Sequence, residues 1–388
     1  MKHLYALISL LFLILVTACR QEFPQINPPE KSVALTLTDE FDAFWTGMNN
    51  SYAFWDIDPT DWDAVYRTYR PLFAKLKSDD ESSRKKGYTY YQEMTANLID
   101  SHYTLYFKDP TLPAISPSNA RILKRPSLHQ PIPVAHYQKT IPANYLSAGA
   151  VTGVDTSKSS PGLLVAGKIK NTNILYFRFP QFALSDWYAD PTSPAQAVVQ
   201  YVFDELQNPD LDGIILDLRG NGGGNASDLD FLLGRLIDKS YVFGSLRAKA
   251  GMGRLDYLPW FDFTVHAVPG ARPFTKPIVA LVDMFSISMA EITPMAIKAL
   301  PTGNGKLVGE RTWGGTGPLT QENVRYNGGE FSTSVLARVY TSSLMFRYKD
   351  GKIYEGIGVP PDVEASYNGV ALKTGKDTQL ETAISQIR

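Results

Sequence analysis

The chain has 388 residues, with 38 Lys and Arg against 39 Asp and Glu, and 44% of its residues are hydrophobic. This composition is typical of a folded globular protein, and the balanced charge gives no general electrostatic affinity for nucleic acid. One cysteine excludes an internal disulfide, and with five scattered histidines it also argues against a zinc cluster. At this length we expect about two or three domains.

The N-terminus has the pattern of an export signal. Lys2 precedes an apolar run at 4–16, which is shorter than a membrane span but suits the apolar region of a signal peptide. The four residues that end in Cys19, Val-Thr-Ala-Cys, resemble a bacterial lipobox, in which small residues permit cleavage and the cysteine takes the lipid.

We therefore predict a signal peptide at 1–18 and a flexible tether at 19–32, where prolines recur. The protein would be an exported lipoprotein of the bacterial cell envelope, held to the membrane by lipid on Cys19. A plain secretory signal with a chance cysteine, or a membrane anchor, is the alternative.

The next part of the chain has helical periodicity. Aromatic residues recur at intervals of three and four from Trp62 onward, with Thr60 as the expected N-cap. A second helical pattern covers about 81–99. We predict an N-terminal helical domain at 33–107 whose aromatic residues form its core, and an irregular linker or subdomain at 108–161 that carries no chemistry.

From residue 162 strands and helices alternate. Apolar runs predict buried strands at 174–179, 213–218 and 278–282. This alternation favours right-handed βαβ units on a largely parallel sheet, in an α/β catalytic domain at 162–388. Because ligands bind such sheets beyond the carboxyl ends of the strands, two loops are candidate sites. Helices are predicted at 193–206, 228–237 and 288–300.

The first candidate loop, at 219–225, reads Arg-Gly-Asn-Gly-Gly-Gly-Asn. Nucleotide binding is disfavoured because no Gly-Lys-Ser/Thr follows, and the G-x-G-x-x-G pattern fails at Asn225. Consecutive glycines allow positive φ and can present N–H groups to an anion, as an oxyanion hole requires. A tight turn without chemistry is the alternative. Asp217 and Arg219 are expected to form a structural ion pair or to anchor this loop.

The second candidate loop, at 283–288, places Ser288 directly before a predicted helix. Backbone N–H groups and the helix dipole favour a developing negative charge there. However, Ser288 and Glu291 also fit a capping box, which requires no chemistry. A G-x-S-x-G motif does not occur in the sequence, so an α/β-hydrolase is disfavoured.

Four motifs in this order resemble the carboxyl-terminal processing and tricorn-core family of serine peptidases. They are the glycine loop, the serine motif at 286–291, Gly-Glu-Arg-Thr-Trp-Gly-Gly at 309–315 and Tyr-Glu-Gly-Ile-Gly-Val-Pro-Pro-Asp at 354–362. The resemblance covers about 162–365 and implies an α/β fold with a crotonase-like ββα core. Family members of the processing type pair the serine with a lysine, but Gly315 stands in that place here, which excludes a Ser–Lys dyad.

The tricorn-like branch of the family instead uses a histidine that follows a serine in the helical region, and a late glutamate. This resemblance implies Ser288 as nucleophile and His102 as general base, with Ser101 and Glu355 fixing and polarising the imidazole. Such an imidazole takes the serine proton, and a carboxylate stabilises the imidazolium that forms.

The resemblance also implies two backbone N–H donors to an oxyanion, on Met289 and Gly223. Gly223 is preferred because related sequences often have proline, which lacks an N–H, where Gly222 stands. Ser286 is the alternative nucleophile, but the family places its serine three residues before the glutamate. The other histidines match no motif and are expected at the surface or in loops: His129, His136 and His266.

The sequence thus predicts a serine-type peptidase, an endopeptidase or a carboxyl-terminal peptidase, that acts on proteins or peptides. We expect no cofactor, no metal and no nucleic-acid partner. The alternative is a family member that has lost its activity and binds a hydrophobic ligand or a peptide, since 21 Tyr, 19 Phe and 6 Trp could line an apolar pocket.

Overall fold

The computed structural model describes residues 36–116, 130–155, 162–251, 253–319 and 329–388. The predicted signal peptide, Cys19 and His129 lie outside these ranges. Within them, no helix combines the length and apolar character that crossing a membrane requires.

The described residues form strands β1 Thr104–Phe107, β2 Val151–Asp155, β3 Gly162–Lys168, β4 Ile174–Arg178, β5 Gly213–Asp217, β6 Tyr241–Ala248, β7 Phe261–Val265, β8 Ile278–Val282, β9 Gly305–Gly309, β10 Leu336–Tyr340, β11 Leu344–Tyr348 and β12 Val363–Glu364. The helices are α1 Leu37–Ser51, α2 Trp62–Phe73, α3 Glu81–Thr95, a π-helical turn His136–Thr140, α4 Ile141–Tyr145, α5 Leu184–Ala189, α6 Pro194–Glu205, α7 Asp228–Leu233, α8 Met289–Lys298, α9 Gly369–Lys373 and α10 Thr378–Ser385.

The N-terminal region is helical and has an aromatic core. Helix α2 begins after Asp61, whose carboxylate accepts the Ala64 N–H at 2.8 Å, so the predicted N-cap at Thr60 is wrong by one residue. The Asp side chain competes well for this position because it satisfies an otherwise unpaired helix N–H. The fully buried aromatic side chains of this core include Phe41, Phe44, Tyr52, Phe54 and Trp62.

Residues from late in the chain complete the N-terminal core. Strand β1 pairs antiparallel with β10, and Leu336, Val339 and Met345 are buried against the helical residues. The predicted helical domain at 33–107 therefore shares one core with the segment around 331–345, because its own apolar surface is covered by that segment.

The main sheet has seven strands in the order β12-β9-β8-β5-β4-β3-β2. Strands β4, β5, β8, β9 and β12 are parallel, and β2 and β3 join antiparallel at the edge. Every residue of β4, β5 and β8 is buried, as expected for strands covered on both faces. The predicted α/β fold is confirmed, but β2 belongs to the segment at 108–161 that was predicted to be an irregular linker or subdomain.

The topology brings three loops together. Because β5, β8 and β9 are parallel neighbours, their carboxyl ends lie at one edge of the sheet. The loops that follow them are the glycine loop, the serine loop at 283–288 and a third segment at 310–317. This edge is where the candidate site lies.

Candidate functional site

Ser288 has an unusual backbone at the junction between β8 and α8. Its φ is 61°, and among the described residues other than glycine only Asn171 also has a positive φ. A positive φ costs a residue with a Cβ about 1–3 kcal/mol, and such strain concentrates at functional sites. The Ser288 N–H donates to the Gly315 carbonyl oxygen at 3.1 Å, which holds the junction in this conformation.

Hydrogen bonds connect the serine loop to the glycine loop. The Asp283 carboxylate accepts the Gly220 N–H at 3.0 Å, and the Ser286 hydroxyl donates to the Leu218 carbonyl oxygen at 2.8 Å. Ser286 is fully buried, and its hydroxyl is engaged in this hydrogen bond. The alternative nucleophile is therefore occupied in holding the two loops together.

Gly223 lies directly against Ser288. Its φ is 84°, and a Cβ built at this position would lie 2.5 Å from the Ser288 Cβ and 3.0 Å from the Met289 nitrogen. No side chain larger than hydrogen fits in this space. The close contact with Ser288, and not a tight turn alone, therefore accounts for glycine at this position.

The two predicted oxyanion donors differ in their present partners. The Met289 N–H has no hydrogen-bond acceptor among the described residues. The Gly223 N–H, in contrast, donates to Oδ1 of the buried Asn221 at 2.8 Å. Gly223 could therefore act as an oxyanion donor only after the Asn221 side chain releases it, and its role stays a prediction.

The structure brings Ser101 and Glu355 together. The Glu355 carboxylate accepts the N–H groups of Ser101 at 2.8 Å, Thr316 at 2.6 Å and Gly317 at 2.7 Å. The Ser101 hydroxyl donates to the Gly314 carbonyl oxygen at 2.8 Å. Both residues were predicted to fix the imidazole, but these contacts fix the third loop against the turn that carries the histidine.

The His102 ring instead faces Ser342. Nδ1 lies 3.4 Å from the Ser342 hydroxyl oxygen, which in turn lies 2.8 Å from Oδ1 of Asp100. Burial lowers the pKa of His102, and the nearby Asp100 partly opposes this effect. A lowered pKa leaves the imidazole neutral at pH 7, the form that a general base requires.

Ser288 and Ser101, the neighbour of His102, both lie close to Gly315 of the third loop. A Cβ built at Gly315 would lie 3.2 Å from the Ser101 Cβ, while the Gly315 carbonyl oxygen accepts the Ser288 N–H. Among the described residues no hydrogen bond joins the Ser288 hydroxyl to the His102 ring. Catalytic hydrogen bonds are often longer in unliganded enzymes, so the pairing stays a prediction.

Two neighbouring side chains lie close to Gly315. The same Cβ would lie 2.7 Å from Cγ1 of Ile287, so the turn at Ser101 and the serine loop together close this position. A larger residue at Gly315 would require the Ile287 side chain to move.

Glu291 anchors the serine loop, a role that the capping-box interpretation covered only in part. The side chain is fully buried, and its carboxylate accepts the Thr312 hydroxyl at 2.5 Å and the N–H groups of Gly314 and Gly315, both at 2.7 Å. It also accepts the Ser288 N–H at 3.2 Å. Burial raises the pKa of Glu291 to about 7, although these donors favour its anion.

Sequence reasoning missed Asp100, Asn221, Glu291 and Ser342 as site residues. Three of them lie within or beside motifs that had been singled out, so position in a motif was the available signal. Ser342 had none, because it is 240 positions from the histidine that it contacts.

Asp100, His102 and Glu355 form the one group of potential metal ligands in the described part of the chain. One ligand atom of each lies within 4.8 Å of the others. However, both carboxylates already accept backbone N–H groups on each of their oxygens. A cation would have to displace these donors, so the donor set fits a hydrogen-bond network better than a metal site.

A buried ion cluster lies behind the glycine loop. Arg219 contacts Asp217 at 2.6 Å and Asp377 at 2.9 Å, which confirms the predicted ion pair. His136 was expected at the surface or in a loop, but it is buried in the π-helical turn, and its Nε2 lies 2.9 Å from Asp377. The hydrogen bond from His136 stabilises the Asp377 carboxylate, which is buried away from water. His266 is exposed, as expected.

Two cavities adjoin the site. One, of about 810 Å³, runs beside Gly222–Asn225 and is lined by Phe182 and by the carboxylates of Asp155, Asp186 and Asp190. The other, of about 640 Å³, lies beside Glu355. It is mainly apolar, with a lining that includes Ile57, Ile99, Ile353, Ile357 and Pro360.

Comparison with known proteins gives consistent matches. Residues 173–365 match peptidase family S41, and residues 37–84 match the Tricorn protease C1 domain. The tricorn protease of Thermoplasma acidophilum is 31% identical over 176 residues, which make up 45% of this chain and 14% of that protein. The carboxy-terminal processing protease CtpA of Bacillus subtilis is 31% identical over 163 residues, or 42% of this chain and 30% of that protein.

A similar solved structure is that of a candidate peptidase from Parabacteroides merdae. Its TM-score is 0.68 at 20% identity, and the match covers 91% of this chain and 96% of that chain. This likeness supports the shared fold. The match to the two curated relatives spans less than a third of their length, 14% and 30%.

Proposed function

Because the chain belongs to peptidase family S41, as its motifs predicted, we propose that it is a serine-type peptidase that hydrolyses proteins or peptides, internally or near the carboxyl terminus. The observation that carries this proposal is the strained backbone of Ser288, with φ at 61° between a buried strand and a helix. A serine held in this way exposes its hydroxyl beside helix N–H groups, as nucleophiles do in other hydrolase folds.

In the proposed reaction the Ser288 hydroxyl attacks the scissile carbonyl carbon, and Nε2 of His102 takes its proton. The Met289 N–H and a glycine N–H, assigned to Gly223, stabilise the negative charge on the carbonyl oxygen. His102 then protonates the leaving amine, and water hydrolyses the acyl-enzyme. These steps require no cofactor.

The proposal includes a conformational step. Among the described residues no hydrogen bond joins Ser288 to the His102 ring, and the Gly223 N–H donates to Asn221. Substrate binding would draw the turn at 100–102 toward Ser288 and rotate the Asn221 side chain away. Such closure is a common way to complete a catalytic site on a bound substrate.

The test is covalent labelling of the full chain with a fluorophosphonate probe, read by mass spectrometry. We expect one modified peptide, containing Ser288, and no modification in Ser288→Ala. His102→Gln should label much more slowly, because the serine then lacks its base. Labelling at another serine, or no labelling of a folded chain, would contradict the proposal.

A second candidate function has its own observation. The apolar cavity beside Glu355 would suit a hydrophobic ligand in a family member without activity. An unlabelled chain that binds an apolar fluorescent probe, and loses that binding in Ile357→Glu, would favour this function. Both Ile357 and its neighbour in the cavity, Ile57, are exposed large apolar side chains.

We also propose that the protein is tethered to a membrane by lipid on Cys19, which is the only cysteine of the chain. In a bacterial host the wild type should incorporate an alkyne-labelled fatty acid and partition into detergent. Cys19→Ser should do neither, because no other thiol can be acylated at the cleavage site. Equal incorporation by the two chains would contradict the tether.

A further inference from the structure

The imidazole of His102 faces a polar chain of side chains that the family motifs do not include. We propose that Asp100 acts through the Ser342 hydroxyl to orient His102 and to fix the position of its ring proton. Asp100 and Ser342 would then be positioning residues of the peptidase reaction, in the place assigned by resemblance to Glu355. This inference rests on the proposed function.

The hydrogen-bond distances determine which group donates in the series Asp100–Ser342–His102. Burial raises the pKa of Asp100, but the N–H groups of His102 and Ser342 donate to its two oxygens and favour the anion. An ionised Asp100 can only accept, and its Oδ1 lies 2.8 Å from the Ser342 hydroxyl. The other acceptor for this hydroxyl, the Gly317 carbonyl oxygen, is at 3.4 Å. The hydroxyl hydrogen therefore points to Asp100, which leaves the lone pairs of the Ser342 oxygen toward His102 Nδ1.

This direction selects one form of the imidazole. A lone pair on Ser342 at 3.4 Å favours a proton on Nδ1 of His102, which then donates toward the hydroxyl. The other ring nitrogen, Nε2, is left with a free lone pair. That is the tautomer that can accept a proton from a serine.

Backbone contacts fix the hydrogen-bonded series Asp100–Ser342–His102 in place. Asp100 is 1% exposed and Ser342 is fully buried. Asp100 also accepts the backbone N–H groups of His102 at 2.9 Å and Ser342 at 2.7 Å, and its own N–H donates to the Tyr52 hydroxyl at 3.2 Å. Because Asp100 and Ser342 are buried, these backbone contacts fix the two side chains away from solvent.

Glu355 is less suited to this role. Its two oxygens accept the backbone N–H groups of Ser101, Thr316 and Gly317. These bonds direct the carboxylate at the loop backbone. Glu355 still lies within 4.8 Å of the other two groups, and burial together with the Asp100 carboxylate raises its pKa well above the ordinary value.

The charge of Asp100 gives the proposal a signature in the pH profile. The titratable groups around it are His102 and Glu355, with the hydroxyls of Tyr52 and Tyr103. Burial lowers the pKa of His102, and the Asp100 anion raises it. Removing the anion should lower this pKa further, so the acid limb of kcat/KM should move to lower pH.

The first test reads the tautomer directly. In the full chain, labelled with ¹⁵N-histidine, long-range proton–nitrogen spectra at pH 8 should show His102 with its proton on Nδ1. The sequence has five histidines, and His102→Gln assigns the signal. Ser342→Ala should give a mixture of tautomers. A proton on Nε2 in the wild type would overturn the proposal, whether or not the chain is active.

The second test is kinetic. Ser342→Ala should lower kcat about 10- to 100-fold with little change in KM, since the hydroxyl touches the base and not the substrate. The matched control is Ser343→Ala, which removes a buried hydroxyl from the same turn and should stay within about twofold of wild type.

Asp100→Asn separates a positioning role from a structural one. A purely structural loss would lower activity at all pH values equally, whereas the proposal predicts a shift of the acid limb to lower pH. An unshifted limb, or wild-type kcat in Ser342→Ala, would contradict the proposal. If the wild type shows no hydrolysis that depends on Ser288, the proposed function fails, and the tautomer spectrum still decides the orientation of His102.

Discussion

Ser288→Ala is expected to lower kcat/KM for peptide hydrolysis by about 10⁴- to 10⁶-fold. The change removes the hydroxyl of a residue that has a strained backbone. Ser288 lies beside Gly223 and beside the Met289 N–H, which has no acceptor among the described residues. What activity is left would come from binding and from the oxyanion donors acting on water. The measurement is the initial rate of cleavage of an unfolded protein and of a quenched fluorescent peptide.

Ser286→Ala is the matched control in the same loop. It removes the hydroxyl that donates to the Leu218 carbonyl oxygen, so it should lower stability but leave the activity of the folded fraction. The double variant Ser288→Ala/His102→Ala should be no worse than Ser288→Ala alone, because nucleophile and base act as a unit. Additive losses, or a fully active Ser288→Ala, would refute the assignment.

Arg219→Met is expected to lower the free energy of unfolding by about 3–5 kcal/mol. The guanidinium is fully buried and donates to both Asp217 and Asp377, so its removal leaves two carboxylates inside the protein without their main partner. Methionine has a similar length, so the loss reports charge more than volume. Equilibrium unfolding in urea, followed by tryptophan fluorescence, measures the effect.

The matched control is Arg67→Met, which breaks an exposed ion pair with Asp61. These two side chains are 67% and 65% exposed, so the change should stay within about 0.5 kcal/mol. Equal losses in the two variants would show that burial of the Arg219 cluster does not matter.

The Arg219 effect should also depend on pH. Burial by itself would raise the pKa of Asp377, but Arg219 and the hydrogen bond to His136 hold it below its ordinary value. A carboxylate with a lowered pKa contributes stability above the unfolded-state pKa, about 4, and loses it as the pH falls. The difference between wild type and Arg219→Met should therefore narrow on acidification below about pH 4.

Local sequence patterns predicted the parallel strands of the α/β region well. Strands 174–179, 213–218 and 278–282 were found within one residue, because buried parallel strands are short apolar runs bounded by turn residues. The Ser193 cap and its following proline marked the start of α6 correctly. In contrast, β2 was missed, since five residues with a central glycine carry little strand signal.

The site was predictable where its residues are consecutive in the sequence. The glycine loop and the serine loop each follow a buried strand, and parallel pairing of those strands brings the loops to one edge of the sheet. The location of Ser288 against Gly223 thus follows from sequence order and sheet topology.

Only the tertiary structure decided which groups face the imidazole. The resemblance assigned that role to Ser101 and Glu355, and this assignment stays a prediction. Backbone N–H groups of the third loop donate to Glu355, and the Ser342 hydroxyl lies 3.4 Å from the ring. Hydrogen-bond partners are chosen by distance and desolvation in the folded chain, and residues 240 positions apart leave no common pattern in sequence. The same reason accounts for His136. It was expected at the surface or in a loop, but it is buried against the Asp377 carboxylate.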